Sequence, residues 1–157
     1  MERFRLVRLH PHDPASRVCL ERYYAELDVR FPGGFVVEQS FDPEPAQLLP
    51  PQGAFLVAFA GDEPVGCVGL KGTCADYSEI KRMWIDPAMR GSGLARALMK
   101  AAEDAARALG VTLLRLDTHS ALANAIAIYR HWGWSEIPRF NDDPYAEVFF
   151  EKSLAES

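Results

Sequence analysis

Ile85-Asp86-Pro87-Ala88-Met89-Arg90-Gly91-Ser92-Gly93-Leu94-Ala95 is the segment that decides the fold of this chain. The two glycines in its second half let the backbone approach an anion closely and direct several N–H groups at it. A helix predicted to begin directly afterwards adds a partial positive charge at its N-terminus. The segment therefore predicts a binding site for a phosphate or pyrophosphate group.

The residues on either side of this segment support that prediction. Between Glu79 and Trp84, charged and apolar side chains are interspersed, with strict alternation at Glu79-Ile80-Lys81, which is typical of a strand, and Pro87 ends it. From Ser92 to Leu109, apolar side chains recur at helical spacing, and Gly110 ends the helix. Strand, glycine loop and helix thus follow one another in the order that an anion site requires.

Two other glycine-loop families fit the segment poorly. A nucleoside-triphosphate P-loop has Lys followed by Ser or Thr after its last glycine, where this chain has Leu94-Ala95. A Rossmann loop needs a third glycine or alanine at fixed spacing near the first strand, whereas this loop lies in the middle of the chain.

The segment resembles the acetyl-CoA-binding motif of the GNAT superfamily of N-acetyltransferases, V-x-P-x-x-[QR]-x-x-G-[hydrophobic]-[GA]. A second segment, Ala125-Ile126-Ala127-Ile128-Tyr129-Arg130-His131-Trp132-Gly133-Trp134, is similar to the family's A-I-x-[LF]-Y-x-x-x-G-[FW]. The resemblance extends from about residue 53 to the C-terminus. It implies acetyl-CoA as the co-substrate and a cytoplasmic acyltransferase.

Composition limits the size and the partners of the protein. At 157 residues, 48% of them hydrophobic, the chain suits one domain, residues 1–157. A net charge of −5 offers no basic field for nucleic acid. Neither an apolar run of about 18 residues nor a hydrophobic signal segment is present, so we expect a cytoplasmic protein without a membrane partner, either a monomer or a homodimer.

The cysteines and histidines do not predict a metal site. Cys19, Cys67 and Cys74 are odd in number and contain no C-x-x-C pair, so unbridged, mostly buried thiols are expected. His10-Pro11-His12 has no further ligand cluster to complete a site, and no metal is expected.

The remaining pattern predicts an α+β protein with a mixed sheet. Strands are predicted at 4–9, 53–60, 65–71, 79–85, 112–118 and 147–152, and helices from Pro14 to before Pro32, around 45–49, at 92–109 and at 121–132. The resemblance implies the GNAT fold, a six- to seven-stranded, mostly antiparallel central sheet flanked by about four helices.

The resemblance also assigns residues to the co-substrate. The backbone of Met83, Trp84 and Ile85 would pair with the pantetheine arm and orient the acetyl carbonyl, with one N–H serving as an oxyanion donor. The pyrophosphate would be held by the glycine loop, which comprises Arg90, Gly91, Ser92, Gly93, Leu94, Ala95 and Arg96. Many relatives carry an asparagine seven residues before the motif tyrosine, where this chain has Leu122; Asn124 is a further candidate.

Three residues are candidates for proton transfer. By resemblance, the phenol of Tyr129 protonates the departing thiolate; helical spacing alone would favour core packing against Trp132 and Trp134. Glu79, ranked slightly first, Asp117 or a chain of water molecules would remove a proton from the amine. Either residue is alternatively an ordinary ion-paired carboxylate, with Glu79 near Lys81 or Arg82.

Two loops are predicted to shape the acceptor site. One, residues 31–35, contains Phe31, Gly33, Gly34 and Phe35, and the other, residues 139–146, contains Asn141 and Tyr145. The second could equally be an ordinary hairpin loop, since its Asn, Asp and Pro residues supply turn geometry.

The sequence therefore predicts an acetyl-CoA-dependent N-acetyltransferase. Its acceptor would be a primary amine of a small molecule or peptide, which attacks directly in a ternary complex. A transferase of another acyl-CoA, and a noncatalytic CoA-binding sensor, remain as alternatives.

Overall fold

A computed structural model describes residues 4–37, 44–73 and 75–155 and contains one seven-stranded sheet in the order β1-β2-β3-β4-β5-β7-β6. Its strands are β1 (Arg5–Arg8), β2 (Ala54–Ala60), β3 (Glu63–Lys71), β4 (Ser78–Ile85), β5 (Leu113–Thr118), β6 (Ser135–Ile137) and β7 (Val148–Ser153). The α-helices of the described residues are α1 (Pro14–Arg30), α2 (Leu94–Ala108) and α3 (Ala123–His131), and short 3₁₀ helices occupy Pro45–Leu48 and Pro87–Met89.

The two longer helices cover opposite faces of the sheet. Along β2, Leu56 and Ala58 pack in the cluster that contains the apolar residues of α2, whereas Phe55 and Val57 pack in the cluster that contains Leu20 of α1. Because successive side chains of a strand point to opposite faces, α1 and α2 lie on different sides. The core is therefore divided into two layers by the sheet.

The start of α1 follows from its sequence. Asp13 accepts a hydrogen bond from the Ala15 N–H at 3.1 Å, and Pro14 occupies the first turn, where its missing N–H costs no helical bond. The helix ends at Phe31, whose N–H donates to the Leu27 carbonyl at 2.9 Å. This end places Phe31 over the carboxyl end of β5, next to His119.

Five of the six strand contacts in the sheet are antiparallel, and β4 with β5 is the parallel one. The predicted fold class is confirmed. The structure differs in the helix number, with three α-helices described where about four were expected, and in strand β6, which the sequence did not indicate. Three residues between Trp134 and Pro138 are too few to show a periodicity.

Cys19 and Cys67 are buried and unbridged, as predicted, while Cys74 lies outside the described residues. Among the residues that the structure describes, no helix combines the length and the apolar character needed to cross a membrane.

Candidate active site

A cleft opens where β4 and β5 separate. The two strands pair at Ser78 with Leu114 and at Glu79 with Arg115, and β4 then continues to Ile85 beside β3. The cleft between them has a volume of about 750 Å³, within the range of about 300–1,000 Å³ that is typical of small-molecule sites. An edge of β4 is thereby left open to a ligand.

An irregularity in β4 accompanies this separation. Gly69 pairs with Lys81 and Cys67 with Trp84, so β4 contains one residue more than β3 over the same stretch. Arg82, within that stretch, has a φ of 55°, a backbone conformation that residues other than glycine rarely adopt. Such a bulge bends a strand and re-aims its side chains, and bulges are common next to active sites.

The glycine loop is open toward the cleft. Gly91 and Gly93 have φ angles of 82° and 90°, and a β-carbon added at either would meet no atom within 4 Å. The Ser92 Oγ accepts a bond from the Leu94 N–H at 3.3 Å. The N–H groups of Ala95 and Arg96, in the first turn of α2, have no acceptor within the helix, and they suit an anion.

Two arginines of this loop lie beside the same opening. Arg90 donates to Glu26 of α1 at 2.7 Å, and the guanidinium of Arg96 lies 5.3 Å from the ring centre of Trp132. Both line the cleft, so the glycine loop combines open backbone donors with positive charge.

Tyr129 of α3 lines the cleft and also packs on the core. Its ring lies 6.2 Å from that of Trp134 and 5.9 Å from that of Phe150. Burial raises the pKa of Tyr129 to about 12, and the charge of Asp117 adds to the effect. The phenol therefore stays protonated at neutral pH.

Asp117, at the end of β5, is held by two neighbours. Its Oδ2 accepts from the Lys81 Nζ at 3.1 Å and from the Asn141 Nδ2 at 2.8 Å. Burial lowers the pKa of Lys81, but the charges of Asp117 and Glu79 outweigh it, so the net pKa is raised and Lys81 stays charged. Asp117 is thus a fixed carboxylate in the wall of the cleft.

Glu79 occupies a different environment. It is 4% exposed, its Oε2 lies 3.3 Å from the Lys71 Nζ and 3.9 Å from the Lys81 Nζ, and it does not line the cleft. Of the two carboxylates predicted as bases, the structure brings Asp117, and not Glu79, to the cleft. The expected pairing of Glu79 with Lys81 is present as the longer of its two contacts.

One side of the cleft is lined by aromatic rings. Tyr24, Phe31, Phe35, His119 and Tyr145, here called the aromatic wall, come from α1, the following loop, the end of β5 and the loop before β7. Phe31 stacks on His119 at 4.2 Å between ring centres, and Phe35 lies 4.7 Å from Tyr145. The Val36 N–H donates to the Tyr145 hydroxyl at 2.8 Å, which ties the two loops together.

Most of the predicted site residues line the cleft. These are Tyr129, Asp117, Met83, Trp84, Ile85, Arg90, Gly91, Gly93, Leu94, Ala95, Arg96, Asn124, Phe31 and Tyr145. Ser92 lies in the glycine loop but does not line the cleft. Asn141 does not line the cleft either, but it donates a hydrogen bond to Asp117, which does. Gly33 and Gly34, with φ angles of 83°, form the turn that leads to Phe35.

Sequence reasoning missed several lining residues, among them Tyr23, Lys81, Arg82 and His119, whereas Phe35 belongs to the predicted acceptor loop at residues 31–35. Tyr23 and Tyr24 share the helical spacing of Leu20 and Leu27 in α1, which by itself indicates packing in the core. Two adjacent phenols on one stripe were the available signal, because tyrosine hydroxyls are costly to bury without a partner.

Metal coordination finds no support among the described ranges, where no group of three or more His, Cys, Asp or Glu residues could hold an ion. The rings of His10 and His12 do lie near each other, 5.2 Å apart. The His12 N–H donates to the His10 Nδ1, a local turn contact.

Known proteins with similar sequences and structures include acetyltransferases. The family model described as the acetyltransferase (GNAT) family matches residues 20–134. An "IAA acetyltransferase" of Azospirillum brasilense is 38% identical over 111 residues, which cover 68% of this chain and 72% of the relative.

Two solved structures extend the comparison to the fold. An acetyltransferase of the GNAT family from Staphylococcus aureus Mu50 superposes with a TM-score of 0.82 at 16% identity, covering 97% of this chain and 99% of that one. The PaiA N-acetyltransferase of Thermoplasma acidophilum, solved in complex with coenzyme A, has a TM-score of 0.56 at 24% identity and covers 63% of this chain and 59% of that one.

Proposed function

The chain belongs to the acetyltransferase (GNAT) family, and from that premise we propose that it transfers the acetyl group of acetyl-CoA to a primary amine of a small molecule or peptide. Direct attack of the amine within a ternary complex is the proposed route. The observation that carries the proposal is the separation of β4 from β5 after Glu79 and Arg115, with Asp117 and Tyr129 in the resulting cleft.

The chain's residues fit the parts of acetyl-CoA. The glycine loop offers open backbone N–H groups and the charges of Arg90 and Arg96 to the pyrophosphate. The edge of β4 at residues 83–85 offers backbone groups to the amides of the pantetheine arm, and Asn124 lines the same side. When bound, acetyl-CoA supplies an activated acyl carbon whose leaving group is a thiolate.

Asp117 is proposed to receive the amine. Lys81 and Asn141 both contact its Oδ2, so we assign Oδ1 to the incoming ammonium. Asp117, directly or through a water, takes the proton that the nitrogen must lose before it attacks. Glu79, which lies among lysines away from the cleft, is not assigned this step.

Tyr129 is proposed to act as the acid. The nitrogen–carbon bond forms while the carbon–sulfur bond breaks, and the phenol proton of Tyr129 passes to the departing sulfur. A pKa of about 12 keeps that proton in place until the thiolate develops. A backbone N–H at the open edge of β4 is assigned to the negative charge that grows on the carbonyl oxygen.

A screen of amines with acetyl-CoA tests the proposal. Release of the CoA thiol is followed with a thiol reagent, and acetyl-CoA binding is measured separately by calorimetric titration. We expect binding together with amine-dependent release. Binding without release for any amine would favour a noncatalytic sensor, and faster release from propionyl- or butyryl-CoA than from acetyl-CoA would favour another acyl donor.

A further inference from the structure

The acceptor side of the cleft is a built aromatic surface rather than a chance meeting of exposed rings. Phe31 is 7% exposed, and its ring lies 4.2 Å from that of His119 and 5.6 Å from that of Tyr145. Phe35 lies 5.7 Å from Tyr24, nearly parallel to it, and 4.7 Å from Tyr145. Each ring is thus fixed by its neighbours, and all five line the same cleft.

Hydrogen bonds hold the segments that carry these rings. The Phe35 N–H donates to Asp28 Oδ1 at 2.9 Å, and the Val36 N–H donates to the Tyr145 hydroxyl at 2.8 Å. On the other side, His119 Nδ1 accepts the Ala121 N–H at 2.9 Å. The rings are therefore preorganised, which lowers the cost of binding a flat partner.

The charges around the cleft disfavour a polycationic acceptor. The acidic residues that line the cleft are Glu26, Asp117 and Asp143; Glu26 is paired with Arg30 and Arg90, and Asp117 is bonded to Lys81 and Asn141. Arg30, Lys81 and Arg82 line the same cleft as the aromatic wall. A polyamine would bring several positive charges close to these cations. An acceptor that places one ammonium group at Asp117 and an uncharged remainder against the aromatic wall fits this distribution of charge.

On the basis of the proposed function, we infer that the acceptor is a primary amine carrying an aromatic ring, which stacks against the aromatic wall. Offset or edge-to-face contacts between rings stabilise a complex beyond the burial of their area. The ring gives specificity, and Asp117 places the amine nitrogen for attack.

Matched acceptors test the inference. We compare kcat/KM for phenethylamine, its saturated counterpart 2-cyclohexylethylamine, spermidine and a tripeptide with an alanine N-terminus. We expect phenethylamine to exceed the saturated amine by about fivefold, which corresponds to a ring contact of about 1 kcal/mol, and to exceed spermidine and the tripeptide by about tenfold or more. Equal rates for the saturated amine, or higher rates for spermidine or the tripeptide, would overturn the inference while leaving acetyl transfer intact.

A variant in the wall provides a second test. Phe35→Leu keeps apolar character but removes the ring, and we expect it to lower kcat/KM for phenethylamine about fivefold to tenfold without changing acetyl-CoA affinity. Phe59→Leu, on β2 outside the cleft, is the matched control and should leave both unchanged. An equal effect of the two variants would contradict the inference. Absence of thiol release with every acceptor would instead contradict the proposed function.

Discussion

The Lys81 Nζ lies 3.1 Å from the Asp117 Oδ2 and joins β4 to β5 just beyond their last backbone pair. Both residues are two positions after that pair, Glu79 and Arg115, so the ion pair continues the strand register across the open cleft. The side chains are 12% and 13% exposed, which removes most of the screening by water. The pair thus fixes a carboxylate in the cleft and links its two walls.

A double-mutant cycle of Lys81→Met and Asp117→Asn should show strong coupling. Removing one partner leaves a largely buried charge, so we expect each single variant to lose about 1–3 kcal/mol of unfolding free energy and the double variant to lose less than their sum. Urea denaturation measures these values.

The exposed pair of Lys100 and Asp104 on α2 is the matched control. Its atoms are 3.0 Å apart, but its side chains are 72% and 54% exposed. Lys100→Met with Asp104→Asn should couple by only about 0.5 kcal/mol or less. Similar coupling in both cycles would contradict a special role for the buried pair.

Substitutions of Glu79 and of Asp117 should have different effects on activity. Asp117→Asn should lower kcat/KM by about 100-fold or more, because the amine loses its proton acceptor. Glu79→Gln removes the ion pair with Lys71 and should destabilise the fold while changing kcat/KM less than about threefold. Steady-state kinetics on folded protein at several amine concentrations measures kcat/KM for both variants. A larger loss in Glu79→Gln than in Asp117→Asn would identify Glu79 as the base.

The comparison of these two carboxylates shows where sequence information ends. Each occupies a strand near a recognisable motif, and the sequence ranked Glu79 slightly first because its strand leads into the glycine loop. Their difference arises from pairing: Glu79 lies opposite Lys71 in the closed part of the sheet, whereas Asp117 lies beyond the point of separation. The bulge at Arg82 follows that point along β4, and the sequence did not predict it.

The glycine loop and Tyr129 were predictable because their residues are contiguous and fit a motif. The aromatic wall was predicted only in part: Phe31 and Tyr145 were assigned to the acceptor site, but the sequence did not show that Tyr24 and His119 join them, because the rings come from segments that are distant in sequence. Their convergence depends on where α1, β5 and the loop before β7 end.

Tyr129→Phe should lower kcat by about 100-fold or more and leave acetyl-CoA affinity unchanged, since only the transferable proton is lost. With a folded pKa of about 12 against about 10 in the unfolded chain, the phenol stays protonated in the folded protein through about pH 10. Its stabilising effect is therefore complete below about pH 10 and is lost toward pH 12. A fall of wild-type kcat between pH 8 and 10 that Tyr129→Phe abolishes would contradict this assignment.

Gly93→Ala should weaken acetyl-CoA binding by about tenfold, because the new methyl group occupies the open side of the loop. The positive φ also imposes a strain of about 1 kcal/mol on any side chain. Gly110→Ala controls for that strain, since Gly110 has a φ of 81° and equally open surroundings beyond the far end of α2. We expect similar losses of thermal stability in the two variants and a change in calorimetric Kd in Gly93→Ala alone; equal Kd changes would remove the loop from the binding site.

Tyr145→Phe should weaken acceptor binding while leaving stability and acetyl-CoA affinity nearly unchanged. The variant keeps the ring in the aromatic wall but removes the hydroxyl that accepts the Val36 N–H, a bond worth about 1 kcal/mol. Val36 is 46% exposed, so water can replace the lost acceptor, and unfolding free energy should fall by less than about 1 kcal/mol. Because the bond positions the segment that carries Phe35, the acceptor KM should rise by about threefold to tenfold while acetyl-CoA affinity stays the same. Initial rates over a range of amine concentrations at saturating acetyl-CoA measure this change, and an unaltered KM would show that the loop containing Phe35 keeps its place without Tyr145.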